Sequence, residues 1–125
     1  MFGRAHAGLL TVAILPLTLG FAFQPEAPVE QAGPVSFSRQ IAPILSAKCA
    51  ECHGAETKEA GLDLSTYEAT MKGSEYGTVI EAGDAAGSLL IEMVSAGEMP
   101  QDADPLPAEE IALIRAWIQA GATNN

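Results

Sequence analysis

Cys49-Ala50-Glu51-Cys52-His53 places two thiols and an imidazole within five consecutive positions. The sulfurs lie at i and i+3, and side chains so spaced share one face of a helical turn. His53 follows the second sulfur directly. Three chemistries compete for such a cluster. A thioredoxin-like redox pair needs a βαβ context beside it, and the flanking sequence has none. A structural zinc site needs four ligands, mostly Cys or His. The chain holds only two cysteines and two histidines, and the other histidine, His6, lies far upstream near the start. A plain disulfide across three residues leaves His53 without a task.

The pattern that uses all three side chains is covalent haem attachment. Cys49 and Cys52 can each form a thioether with one vinyl group at a haem edge, and His53 can turn its ring to the iron as the proximal ligand. The N-terminus agrees with this. Arg4 is a short basic region, and positions 7–23 carry no charge and are dominated by leucine, isoleucine and valine. Gly20 and Ala22 are small residues at the two positions that a signal peptidase reads. Residues 1–22 are therefore expected to be an export signal cleaved after Ala22, with an uncleaved membrane anchor as the rival. Pro16 and the short length speak against a span. Export matters because haem is attached to such proteins outside the cytoplasm. A periplasmic or otherwise exported protein is expected, membrane-bound only if the segment stays.

Composition narrows the partners. The chain has 125 residues, enough for one domain, and a net charge of −10 from 6 basic and 16 acidic side chains. Such a surface repels nucleic acid and anionic lipid and favours redox partners with a basic docking face. Hydrophobic residues make up 48% of the chain, but many sit in the leader. The core that remains is thin, and small domains of this kind often need a cofactor to stabilise them.

Outward from the motif, the sequence reads as helices joined by long loops. Residues 23–35 carry Pro25, Pro28 and Pro34 among Glu26, Glu30, Gln31 and Gly33, and are expected to be a linker. The domain is expected over 36–122. Phe37, Ile41, Ile44 and Leu45 fit one helical face, with Ser36 or Ser38 as its cap. Pro43 removes one backbone donor inside that pattern, which predicts a kink or a broken first turn. Ser65-Thr66-Tyr67-Glu68 matches a capping box and predicts a short helix ending near Lys72-Gly73. Val79-Ile80 is too short for a strand. Ser88 is expected to cap a helix through Val94 or Ser95, with Leu89, Leu90, Met93 and Val94 inward and Gly97 closing it. The last helix is expected to begin at Pro107 and to carry Ile111, Ile114, Trp117 and Ile118 as its stripe, ending at Gly121. The predicted fold class is all-α, three to five helices around one covalently bound haem.

The far side of the iron needs a ligand. With His6 lost, no second imidazole remains, and a lysine would need to be neutral. Methionine pairs with histidine in electron-transfer sites and raises the potential. Met93 falls on an inward helical stripe and Met71 at a helix end, so packing accounts for both. Met99 sits in a loop before Pro100, and no stripe claims it. Met99 is the expected distal ligand.

These pieces resemble the class I c-type cytochromes, and closely the planctomycete-type cytochrome c domain. The resemblance runs from Phe37 to Ala122. It is carried by Ile41-Ala42-Pro43-Ile44-Leu45, Cys49-Ala50-Glu51-Cys52-His53-Gly54, Gly61-Leu62-Asp63-Leu64, Ala82-Gly83-Asp84, Met99-Pro100 and Ile114-Arg115-Ala116-Trp117-Ile118. It implies that His53 is proximal, that Met99 is distal, and that the first and last helices cross through Ile41, Leu45, Ile114 and Trp117. The chain departs from the family's usual Met-Pro-Pro by Gln101, and from its usual Ser or Thr cap by Pro107; both loosen the distal loop. The expected function is that of a one-electron carrier rather than an enzyme, with Glu51, Glu98, Asp102 and Asp104 able to steer a basic partner. The alternatives are a haem-dependent peroxidase or gas sensor with an open sixth site, or a haem subunit of a larger dehydrogenase.

Overall fold

The computed structural model describes residues 33–125, with Gly3, Gly8, Ala13 and Gly20 upstream. The expected export signal and nearly all of the expected linker lie outside the described residues. Four α-helices follow in order: α1 (Ala42–Lys48), α2 (Tyr67–Lys72), α3 (Leu89–Ser95) and α4 (Ala108–Gln119). A π-helical turn, Phe37–Ile41, runs straight into α1, and a short 3-10 turn, Glu59–Gly61, precedes α2. The described residues contain isolated β-bridges but no strand. The all-α expectation holds. No described helix is long and apolar enough to cross a membrane.

The π turn is the break that Pro43 predicts. Pro43 sits at the start of α1 and has no N–H for the carbonyl four residues back. The preceding turn widens instead. The N–H groups of Ile41 and Ala42 donate to the carbonyls of Ser36 and Phe37, each five residues back. Ser36 caps this turn by accepting from the Arg39 N–H at 3.3 Å.

Asn125 completes the start of the turn from the far end of the chain. Its Oδ1 accepts the Phe37 N–H at 2.8 Å, and its backbone oxygen accepts the Ser38 N–H at 3.0 Å. Its side-chain amide donates to the Val35 carbonyl at 3.2 Å. Donors that a helix start leaves without partners are thereby satisfied.

Three caps differ in detail from the sequence expectation. Helix α2 is capped by Thr66, whose hydroxyl accepts the Ala69 N–H at 3.1 Å. Ser65 is held elsewhere, because Asp63 Oδ1 accepts both its N–H (2.9 Å) and its hydroxyl (2.5 Å). Ser88 stands at the N-cap of α3, but its hydroxyl donates to the Asp84 carbonyl and accepts the Glu81 N–H, tying a turn rather than the helix. Pro107 is the N-cap of α4 instead of its first residue.

The core is built where α4 meets the π turn. Ile41, Leu45, Ile114, Trp117 and Ile118 are all buried. Phe37, Tyr67 and Trp117 form an aromatic cluster, with Phe37 5.2 Å from Tyr67 and 5.3 Å from Trp117 between ring centroids. Each such pair contributes about 0.5–1.5 kcal/mol beyond the area it buries. The polar tips are also bonded: Tyr67 donates to the Ala122 carbonyl and Trp117 to the Thr123 carbonyl. Leu90, Ile91 and Val94 of α3 are buried, while Leu89 is 45% exposed and faces an apolar cavity instead of the packed core.

Candidate functional site

The Cys49–His53 segment continues from α1 as one helical turn. The Leu45 carbonyl accepts from Cys49, and the Cys49 carbonyl accepts from His53 at 2.8 Å. Gly54 follows because nothing larger fits. A Cβ there would run into the carbonyl oxygen of Ala50. The loop beyond folds back on the turn. The Cys52 carbonyl accepts the Glu59 N–H at 3.0 Å, and the His53 carbonyl accepts the Leu64 N–H at 2.7 Å.

His53 is oriented by a contact that the sequence does not announce. Its Nδ1 lies 3.1 Å from the backbone carbonyl of Glu59. A carbonyl can only accept, so Nδ1 carries the proton, and in the neutral ring the lone pair is on Nε2. Metal-bound histidines are commonly held in this way, by a bond from the other nitrogen.

Two cavities meet at this turn. The first, of about 220 Å³, is walled by apolar side chains, among them Leu45, Leu64, Val79, Leu90 and Val94. The second, of about 300 Å³, is the more polar of the two and is bordered by Lys48, Glu51, Cys52, Glu59 and Asp102. Cys49, His53 and Met99 border both. The structure thus brings all four expected site residues to one place. The apolar cavity alone falls below the roughly 300–1,000 Å³ of ordinary ligand pockets. A plate-shaped group with an apolar body and a polar edge would span the pair.

Cys49 is half-buried and Cys52 exposed, and neither forms a disulfide. Burial, with the Glu110 carboxylate adding to it, pushes the Cys49 thiol up to about 11. A reactive redox cysteine or a thiolate ligand has the opposite shift. Cys49 therefore lacks the electropositive surroundings that mark a reactive thiolate. Among the methionines, Met71 is half-buried against the core and borders neither cavity. Met99 packs against the core and borders both; the Met93 carbonyl accepts its N–H at 3.2 Å. Met93 corrects the sequence expectation. It does not pack against the core cluster and instead lines the apolar cavity. Helical period separates inward from outward, but not core from cavity.

Residues 49–102, which hold the motif turn, both cavity-lining methionines and α3, match the family model described as Planctomycete cytochrome C. This stretch is a planctomycete-type cytochrome c domain. It holds α2 and α3, and the four helices together form the small all-α cytochrome c fold. A cytochrome c domain binds haem and transfers electrons, and the donor set here fits that group: two sulfurs on one turn, an imidazole with its lone pair on Nε2, and a thioether bordering the same cavities. No curated protein and no solved structure matches the chain. Two residues of the cytochrome c domain escaped the sequence reading. Glu59 acts through its backbone, which carries no residue-type signal. Tyr76, 85% exposed, borders the apolar cavity from a turn without helical period.

Proposed function

We propose that this chain is an exported carrier of single electrons that holds one haem, attached through Cys49 and Cys52, with His53 as the proximal and Met99 as the distal iron ligand. The observation that supports this most is the His53 ring, whose Nδ1 is bonded to the Glu59 carbonyl while Cys49 and Met99 share its cavities. One Cys-x-x-Cys-His motif in the chain argues for one haem. The haem, when bound, supplies one-electron exchange at iron. The chain's own residues hold and shield it. His53 keeps its Nδ1 proton on a carbonyl, so its ligating nitrogen stays in register through a redox cycle. The leucine and valine wall excludes water from one side.

Export rests on the basic and apolar leader. The partner is a redox protein with a basic face, drawn by the acidic surface and by the exposed Glu51 and Asp102 at the polar cavity. The test is expression with the leader in a host that matures c-type cytochromes. Haem that stays with the chain after denaturation and a ferric band from sulfur-to-iron charge transfer are expected. Haem lost on denaturation would overturn the reading.

A further inference from the structure

We infer that the distal side holds two thioether donors, and that Met93 takes the iron when Met99 is removed. The inference rests on the reading that His53 and Met99 bind the haem iron. Three observations carry it. Met93 and Met99 both line the apolar cavity that Cys49 and His53 border. Met93 is half-buried on a helix whose Leu90, Ile91 and Val94 are buried, and it is absent from the packing that engages Met71 and Met99. Its side chain therefore lines the cavity, whose walls are core residues such as Leu45, Leu90 and Ile114. The two methionines are also pinned to each other. The Met93 carbonyl accepts the N–H groups of both Glu98 (3.0 Å) and Met99 (3.2 Å).

The chemistry follows from these positions. Both donors are neutral thioethers of equal softness on long, unbranched stems that adapt to irregular space. Met99 is the resident ligand because its loop lets the side chain border both cavities, whereas Met93 reaches only the apolar one from the end of α3. Replacing Met99 with an apolar residue does not then open the sixth position. It hands that position to a second sulfur six residues upstream. The domain would be protected against turning into a gas-binding or peroxide-reactive site by a single loss in the distal loop.

The test uses full-length protein loaded in a maturing host. Met99→Leu conserves volume while removing the sulfur. We expect M99L to keep a sulfur-to-iron charge-transfer band, shifted in position, and its ferrous form to resist carbon monoxide. Met93→Leu alone keeps the wild-type band. The double variant loses the band and binds carbon monoxide readily. M99L that loses the band and binds the gas as readily as the double variant overturns the proposal. Met99→Ala serves the same comparison if M99L does not accumulate. Methionine methyl resonances in the ferrous protein give a second reading: an upfield methyl in M99L that vanishes on adding M93L supports the inference, and its absence in M99L overturns it. A wild-type protein without the band would instead overturn the Met99 assignment, and the proposal with it.

Discussion

His53 and Gly54 show how much of the site a single residue decides. The motif was legible because its chemistry depends on residue type: only cysteine offers the thiols and only histidine the imidazole. Gly54 is required for a different reason. The motif turn passes so close that any Cβ meets the Ala50 carbonyl. Gly54→Ala is expected to destabilise the haem-loaded protein by at least about 1–3 kcal/mol, the usual cost of forcing atoms into filled space, and to lower haem loading. Urea unfolding followed in the haem absorption checks this, and an unchanged midpoint would refute it. Asp63 permits a pH prediction. Its bonds from the Ser65 hydroxyl and N–H hold its carboxyl below the usual 3.8, with Lys58 at 3.6 Å adding to this. A carboxylate depressed in the folded state stabilises it above the unfolded pKa, and that contribution is lost as pH falls through the folded value. Asp63→Asn should therefore flatten the loss of stability below about pH 4 while leaving the neutral-pH curve of similar shape. Acid titration of both proteins by circular dichroism measures it; identical acid arms would exclude the effect.

At the scale of elements, the sequence located all four helices, because periodic apolar residues and local stop signals act over short distances. Pro43 even marked where the first would break. What it did not show was how the caps are shared. Ser65 looked like a cap, but Asp63 two residues earlier competes for it, and Thr66 takes the role. The start of the first helical segment depends on Asn125, 88 positions from the Phe37 N–H it accepts, and no local pattern can announce such a partner. Asn125→Ala removes that acceptor and the donor to Val35. A loss of about 1–2 kcal/mol is expected, as for a helix cap. Hydrogen exchange should report it first at the Phe37 amide, and an amide protected as in wild type would show that water or a neighbour substitutes.

At the scale of the whole molecule, two properties matter that no single motif carries. The first is that a few large side chains hold the crossing of α4 with the π turn. Trp117→Ala deletes the largest buried ring of the aromatic cluster and leaves the Thr123 carbonyl without its donor. A cost of about 3–5 kcal/mol is expected from lost burial and the cavity together, measurable as a shift of the thermal midpoint in the haem-loaded protein. The second property is charge. A net charge of −10 on so small a chain creates a field that reaches beyond any contact. Its range is set by salt, about 30 Å at 0.01 M and about 10 Å at 0.1 M. Electron exchange with a cationic small complex should therefore slow as salt rises over that range, by about tenfold or more if steering dominates the encounter. Exchange with an anionic complex of similar potential should quicken under the same change, because the same field repels it. Opposite slopes for the two reagents identify the field as the cause; equal slopes would exclude it. The place where electrons leave can be read from the same experiment. Glu51 and Asp102 border the polar cavity at Cys52 and His53, whereas Glu68 lies on α2 and borders neither cavity. If exchange occurs beside the motif, Glu51→Gln with Asp102→Asn flattens the salt slope more than the removal of Glu68 and a second carboxylate distant from the cavities. An equal effect from both pairs would mean that only the total charge acts, with no preferred face.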